Sequence, residues 1–498
     1  MASSPNRLRI VLVCIVALLA SSAMLFSGTG IQPIWWMAWL AVLPVLLVAP
    51  RVSGLAAFGI AALSWFAGTL NLWRYLRHIL VLPMNPHAGP LVMPVGIAIG
   101  VLVVPSILFG LAVLLTRAFM RRGALWGAAL ALPSVWITFE YLTSITSPHS
   151  TFGSIAYTQM DNLPMLQLAS VFGIWGIIFC LFLLPAAIAN LLNGVCTAAR
   201  RRQFSATVAV LLMAVLVFGW WRLHSEAAGQ SVVVGLSASD VRENVFPEDP
   251  EKKGSLFRLY AEQAGILAAQ GAKVVVLPEK LVVVVDPETE EVDKILQQAA
   301  TYDKVTIVAG VIRRSSSAKL NEARLYSPDG SAVLTYDKHH MLPAFESSFA
   351  PGTMRTRLDE PSGRWGMAIC KDMDFPALSR DYGEDGIGLL LVPAWDFDDD
   401  AWLHSRMAVM RSVESGFSMA RAAKQGLLTL NDNRGRILAE RSSASAPFAT
   451  LVGTVPVRHD STIYARFGDW FAWLNMVVLV FLVARLFVHS NRIQPEDG

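Results

Sequence analysis

The sequence predicts a polytopic α-helical membrane bundle of about eight spans into which a single α/β domain is inserted, and three observations carry that prediction. The 498-residue chain is 54% hydrophobic and only 16% charged, against a charged share of about a quarter in ordinary soluble proteins. The apolar excess is confined to residues 1 to 222 and 469 to 488, while residues 230 to 460 have a globular composition. Within that globular stretch, short apolar runs alternate with helical patterns.

Runs long enough to cross roughly 30 Å of hydrocarbon lie near 10 to 27, 31 to 49, 52 to 72, 91 to 116, 123 to 143, 164 to 193, 204 to 222 and 469 to 488. Short-loop positive charge orients them. With the N-terminus inside, Arg7, Arg9, Arg51, Arg117, Arg121, Arg122, Arg200, Arg201, Arg202, Arg485 and Arg492 fall on the cytoplasmic side, against Arg74 and Arg77 outside. Seven crossings then deliver residues 223 to 468 to the outer face, and an eighth returns the tail. The expected domains are therefore 1 to 222, 223 to 468 and 469 to 498. The first run also fits a cleaved signal peptide, which leaves the placement of the large domain unchanged. The formal charge of +3 comes largely from the inside loops, so it reports membrane topology and gives no support for nucleic-acid binding.

In the globular stretch, Val232 to Leu236, Val274 to Leu277, Val305 to Val311, Ala323 to Tyr326, Gly366 to Cys370 and Leu389 to Val392 read as strands buried on both faces. Leu256 to Ala269, Val292 to Tyr302 and Trp402 to Ser415 have apolar residues at helical spacing, with Asp249 and Pro250 as a start signal. Such alternation predicts a layered α/β domain, and about 230 residues suffice for a core of its own.

Three separated strand ends carry reactive side chains. Val274-Val275-Val276-Leu277-Pro278-Glu279 places a carboxylate just beyond a strand, Tyr336-Asp337-Lys338 places a lysine after a Ser327-Pro328-Asp329-Gly330 turn, and Gly366-Met367-Ala368-Ile369-Cys370 ends on the one cysteine of the domain. An exposed loop acid, a surface lysine and an inert buried thiol are the bland alternatives. Grouped, they make a chemical unit. A free thiol with pKa near 8.5 is mostly protonated at neutral pH, so attack on an acyl carbonyl needs a base. Glu279 would take the proton if desolvation raised its basicity. Lys338 would lower the thiol pKa and, with the backbone N–H of Lys371, stabilise the oxyanion.

Glu279, Lys338 and Cys370, in that order and each at a strand end, resemble the Glu-Lys-Cys triad of the nitrilase (carbon-nitrogen hydrolase) superfamily, which implies an αββα sandwich. Glu346 matches the glutamate that orients the lysine in that superfamily. Arg411 to Phe417 with Ala420-Arg421 resembles its helix and strand after the nucleophile, and Asn431 to Gly435 its late hairpin. Seven spans before the domain and one after it resemble the apolipoprotein N-acyltransferase family, as do Trp136, Glu140, Tyr157, Gln159, Gly173 to Gly176 and Ile463-Tyr464-Ala465-Arg466-Phe467-Gly468-Asp469. The resemblance implies a bacterial inner-membrane enzyme that moves a fatty acyl group from a membrane phospholipid, through a Cys370 thioester, to the N-terminal cysteine of a lipoprotein or to another amine. A monomer without cofactor is expected.

The chain departs from the family at Lys371 and Asp372, where an aromatic residue and a glutamate are usual, and at Pro393-Ala394-Trp395-Asp396-Phe397-Asp398-Asp399-Asp400. A membrane-anchored amidase or hydrolase of the same fold is the alternative these changes favour. A transport protein is a third reading, weakened by sparse intramembrane charge, of which Glu140 is the clearest case. The aspartate run lacks calcium-loop spacing and reads as a solvated loop. His339, His340 and His404 lack metal-ligand spacing, so no metal is expected. The apolar loop Met341 to Phe349, with Trp220, Trp221, Trp470 and Trp473 near span ends, suits either a lipid entrance or interfacial anchoring.

Overall fold

The computed structural model describes residues 4–81, 95–193, 196–225, 229–241, 250–286, 288–331, 333–343 and 345–490. Asp249, Ala344 and Arg492, used above, lie outside them. The chain forms two compact units, one holding the chain up to Ser147, Gly153–Trp221 and the residues from Asp469 on, the other Pro148–Phe152 and Arg222–Gly468.

Among the described residues of the first unit, seven helices are long and apolar enough to cross a membrane. Their outward faces are apolar, with Leu55 84%, Val210 67% and Leu192 65% exposed, a pattern that makes sense only against hydrocarbon. Their inward faces meet around Trp65, Trp136, Phe109 and Phe182, with Trp65 and Trp136 ring centroids 4.1 Å apart. The expected second span differs from prediction. Its residues form a four-residue helix at Trp35–Ala38, then Leu43–Val48 and a tight turn at Ala49–Arg51. Pro44, which lacks an N–H, stands in the first turn of the second piece, where that missing donor costs no helical hydrogen bond.

The intramembrane acid is fully engaged. Glu140 accepts from Trp136 Nε1 at 2.6 Å, from Ser154 Oγ at 2.5 Å and from the Ile155 N–H at 3.2 Å. Gln159 accepts from Trp39 Nε1 at 2.8 Å. Asp469, the end of the junction motif, accepts from Trp175 Nε1 at 2.9 Å. These family-like positions are ties within the helical unit. Trp220 and Trp221 are 60% exposed and Trp473 51%, as interfacial anchors would be.

The second unit is an αββα sandwich. In chain order its strands are β1 (Gln230–Ala238), β2 (Val274–Val276), β3 (Val283–Val285), β4 (Thr306–Arg314), β5 (Lys319–Tyr326) and β6 (Leu334–Asp337). β7 (Arg357–Glu360), β8 (Gly363–Met367), β9 (Leu389–Trp395), β10 (Ser418–Lys424), β11 (Leu427–Asn431) and β12 (Ile437–Ser442) form the second sheet, and β13 (Ala449–Val457) returns to the first. The sheet orders are β13-β1-β2-β4-β5-β6, with β3 on β4, and β12-β11-β10-β9-β8-β7. In β2, Val274 and Val276 face the opposite sheet while Val275 faces the helices Pro250–Ala269 and Glu288–Asp303. Burial on both faces explains why the run is wholly apolar. The helix Ala401–Ser415 covers β10 and β11, and the β11–β12 pair is the hairpin expected around Asn431.

Candidate active site

β1, β2 and β4 run parallel, as do β8, β9 and β10, so the C-terminal ends of β2 and β8 open the same kind of crevice in which α/β sheets place their sites. Pro278 and Glu279 lie against Gly310 so closely that a Cβ there would fall 2.5 Å from the Glu279 Cα. The Glu279 N–H donates to the Ala394 carbonyl of β9 at 3.2 Å, which ties the two sheets at this point. Beyond β8 the chain stays extended through Ile369 (φ −125°) and then turns sharply at Cys370, with φ of +43°, to open the 3-10 turn Cys370–Asp374. A left-handed cysteine is costly and lifts the thiol out of the sheet; the strand itself ends at Met367, earlier than expected.

The structure brings the acids and the lysine into one buried cluster. Lys338 Nζ lies 2.9 Å from Glu279 Oε1 and 3.0 Å from Glu346 Oε2, and all three side chains are almost wholly buried. Asn321, on β5, donates from Nδ2 to Glu279 at 2.6 Å and to Glu346 at 2.9 Å. Glu346 Oε2 also accepts from the Leu342 N–H at 2.7 Å, which fixes the loop that carries it. Cys370 is partly exposed, and its Sγ donates to the Trp395 carbonyl at 3.3 Å.

The electrostatics differ from two expectations. Burial alone would raise Glu279, but Lys338 and then Lys280 outweigh it and hold its carboxyl below the usual range. Burial, followed by the Glu279 charge, pushes the Cys370 thiol well above its ordinary value, and the opposing pull of Lys338 is smaller. The resting pair is therefore a carboxylate and a neutral thiol. Burial also disfavours the Lys338 charge, yet Glu279 and Glu346 keep the ammonium well above the ordinary lysine range. A carboxylate, a neutral thiol and an ammonium so arranged can pass a proton as an acyl carbonyl binds and charge moves onto its oxygen.

Lys371 is buried, paired with Asp374 at 3.0 Å and 3.4 Å from His149 Nδ1. Burial and then the Lys371 charge push His149 down to about 4, so its ring is neutral. Asp372 is a tie between loops: it accepts from the N–H groups of Ile369, His339 and His340 at 3.0, 3.1 and 2.9 Å and from Tyr336 Oη at 2.7 Å. Through it the turn at Cys370 is fixed to the segment that follows Lys338.

The aspartate run is not a solvated loop. Only Asp398 is exposed; Asp396 and Asp400 are buried. Asp396 takes both Nη groups of Arg421, at 2.9 and 2.5 Å, and Asp400 pairs with His404 Nδ1 at 2.9 Å. Each of these two buried aspartates has a cationic partner, Arg421 from a separate strand and His404 from the next helical turn. Arg421→Met is expected to destabilise this unit by about 3–5 kcal/mol, because it strands a buried carboxylate. Arg421→Met with Asp396→Leu recovers most of that loss in thermal unfolding. His404 carries a pH signature. Burial opposes its charge, but Asp400 overcomes this and raises it to about 9. The stability it contributes is complete below about pH 6.5 and lost as pH rises through about 9, about 3 kcal/mol in all. Melting temperatures at pH 6 and pH 9.5 check this, and His404→Gln removes that share of the difference.

The apolar loop is partly core. Phe349 is buried with Val283 and Ile312, and Met341 packs against them. Among the described residues no cluster of three or more His, Cys, Asp or Glu is placed to hold a metal ion. Sequence reasoning missed Asn321, Lys280 and the Asp396–Arg421 pair; Asn321 shares β5 with Lys319, Glu322 and Arg324, so its polarity does not set it apart.

Two family models match the chain, Apolipoprotein N-acyltransferase N-terminal domain over residues 20–187 and Carbon-nitrogen hydrolase over residues 222–467. The chain is similar to the apolipoprotein N-acyltransferase of Geobacter metallireducens, 27% identical over 490 residues that cover 91% of this chain and 90% of the relative. It is also similar to that of Haemophilus ducreyi, 23% identical with 92% and 94% covered. Among solved structures, the amidase from Nesterenkonia sp. AN1 covers 50% of this chain and 98% of its own, with a TM-score of 0.41 and 20% identity. An apolar helical unit and a carbon-nitrogen hydrolase sandwich, matched together by relatives over nine-tenths of the sequence, place the chain in the apolipoprotein N-acyltransferase family, a membrane branch of the carbon-nitrogen hydrolases.

Proposed function

We propose that the protein transfers a fatty acyl group from a membrane phospholipid to the N-terminal amine of a diacylglyceryl lipoprotein by way of a Cys370 thioester. Cys370 Sγ attacks the ester carbonyl as its proton passes to Glu279. The oxyanion is held by the Lys338 ammonium and the Lys371 N–H. Collapse expels the lysophospholipid alkoxide, which takes the proton from Glu279. In the second half the acceptor amine attacks the thioester, gives its proton to Glu279, and the sulfur leaves and recovers that proton. The observation that carries this reading is the buried Glu279–Lys338–Glu346 cluster, with the Glu279 N–H and the Cys370 thiol donating to the consecutive carbonyls of Ala394 and Trp395.

A lipid donor explains why the site travels with membrane helices, since each methylene drawn into water costs about 0.8 kcal/mol. Radiolabelled phospholipid and a diacylglyceryl peptide, incubated with the purified protein, test the assignment. Label on the peptide amine supports it; label released only as free fatty acid identifies a hydrolase and overturns it.

The site is assigned to the extracytoplasmic face of a bacterial inner membrane, the orientation the arginine distribution favours. That orientation requires the broken segment Trp35–Arg51 to cross, because seven crossings in all would leave the two termini on opposite sides. A single cysteine placed at Ser461, in a background with Cys14, Cys180, Cys196 and Cys370 replaced, is expected to react with a membrane-impermeant maleimide in intact spheroplasts. Labelling only after lysis contradicts the assignment.

A further inference from the structure

Beside the triad stands a second lysine that the chemistry above does not use. Glu279 and Glu346 flank Asn321 and share Lys338. One ammonium against two buried carboxylates leaves an excess negative charge, which drives one acid toward its neutral form. Lys280 closes that balance. Its Nζ pairs with Glu346 and lies 3.6 Å from Glu279 Oε1, and the side chain is 14% exposed.

We propose that Lys280 is a positioning residue of the acyl-transfer centre, a second counter-charge that holds the Glu279 and Glu346 carboxylates in place, and that Lys424 fixes the turn from which it reaches them. The inference rests on the acyl-enzyme reading above. Lys280 adopts φ of +52°, a left-handed conformation that a lysine holds only when its surroundings impose it. Three contacts impose it. The Gly310 N–H donates to the Pro278 carbonyl at 3.0 Å, the Leu281 N–H donates to the Gly310 carbonyl at 2.8 Å, and Lys424 Nζ donates to the carbonyl of Lys280 itself at 3.0 Å.

Lys424 is buried and sits 3.8 Å over the Trp395 ring, and the Trp395 carbonyl receives the Cys370 thiol. One residue thus joins the turn of the base to the strand end that seats the nucleophile. The Lys280 ammonium in turn lies over the rings of Phe349 and Trp395, at 5.5 and 6.0 Å. Aromatic faces favour a cation there, so the charge is kept at the acids rather than in solvent. The direction of the acids agrees with the geometry: Lys338 and Lys280 together hold Glu346 down to about 2 against burial.

Full-length protein in detergent micelles, acylated by a p-nitrophenyl acyl ester, provides the test, because nitrophenolate release reports thioester formation without a lipid or an acceptor. Lys280→Met is expected to slow acylation about tenfold or more and to move the acid limb of its pH profile up by about one unit, since a base stripped of a cation ionises later. Lys280→Arg, which keeps the charge, is expected to restore the limb. A general loss of folding lowers the rate without moving the limb.

An unshifted limb in Lys280→Met, or no restoration by arginine, overturns the proposal. A parent that the ester does not acylate at Cys370 overturns it together with the acyl-enzyme reading. A parent acylated by the ester yet inert toward phospholipid removes the lipid donor assigned above and, if the limb shifts, supports the role of Lys280.

Discussion

Cys370→Ala is expected to abolish acyl transfer, with a fall of about 10⁴-fold or more, on the scale seen when a covalent nucleophile is removed. The fold should survive the change. The one hydrogen bond the thiol donates goes to the Trp395 carbonyl, and alanine meets the same backbone demand at φ of +43° that cysteine does. Cys370→Ser should fare little better. A hydroxyl is far less acidic than a thiol, and Glu279, held below the usual carboxylate range, is too weak a base to activate it. Turnover of labelled phospholipid, compared with melting temperature in the same preparations, separates lost chemistry from lost structure.

Glu279→Gln is expected to reduce the rate of both half reactions by about 10²–10⁴-fold, the usual worth of general base catalysis. It is a clean substitution, because a glutamine Oε1 in the same position still accepts from Asn321 and Lys338, which now reach Glu279 Oε1 at 2.6 and 2.9 Å. The proton acceptor goes while the cradle stays. The parent's pH dependence follows from the same cluster. A base with a depressed pKa stays ionised as pH falls through the ordinary carboxylate range, so the acid limb should lie below about pH 4.5, and in the glutamine variant that limb should vanish. Single-turnover acylation across pH, with each half reaction followed separately, measures both effects.

Much of this architecture is legible in the sequence because the forces involved leave local patterns. Long apolar runs mark the membrane helices, and all-apolar triplets such as Val274-Val275-Val276 mark strands buried on both faces. Glu279 and Cys370 are visible because each follows such a run, and Lys338 because it follows a turn and a short strand. What is not legible depends on partners brought together from afar. Arg421 lies 25 residues from Asp396, so an aspartate run reads as solvated until its cations arrive in space. Asn321 and Lys280 look like an ordinary strand amide and a surface lysine. The direction of the thiol shift is hidden for a related reason: proximity to an ammonium is suggested by a motif, whereas burial is set by the whole packed sandwich. The broken second span is hidden as well: its hydropathy gives no sign of the break, and Pro44 at the start of its second piece is no signal, because Pro105, Pro133 and Pro185 lie inside unbroken helices.

The central claim is that the acyl group is carried on one sulfur. Intact-protein mass spectrometry after brief exposure of the full-length protein to a phospholipid of defined chain length tests it most directly. The expected result is a mass gain of one acyl chain, mapped to Cys370, absent from Cys370→Ala and chased to the amine of a diacylglyceryl peptide. Acyl transfer to that peptide with no adduct in the parent, or undiminished in Cys370→Ala, contradicts the account.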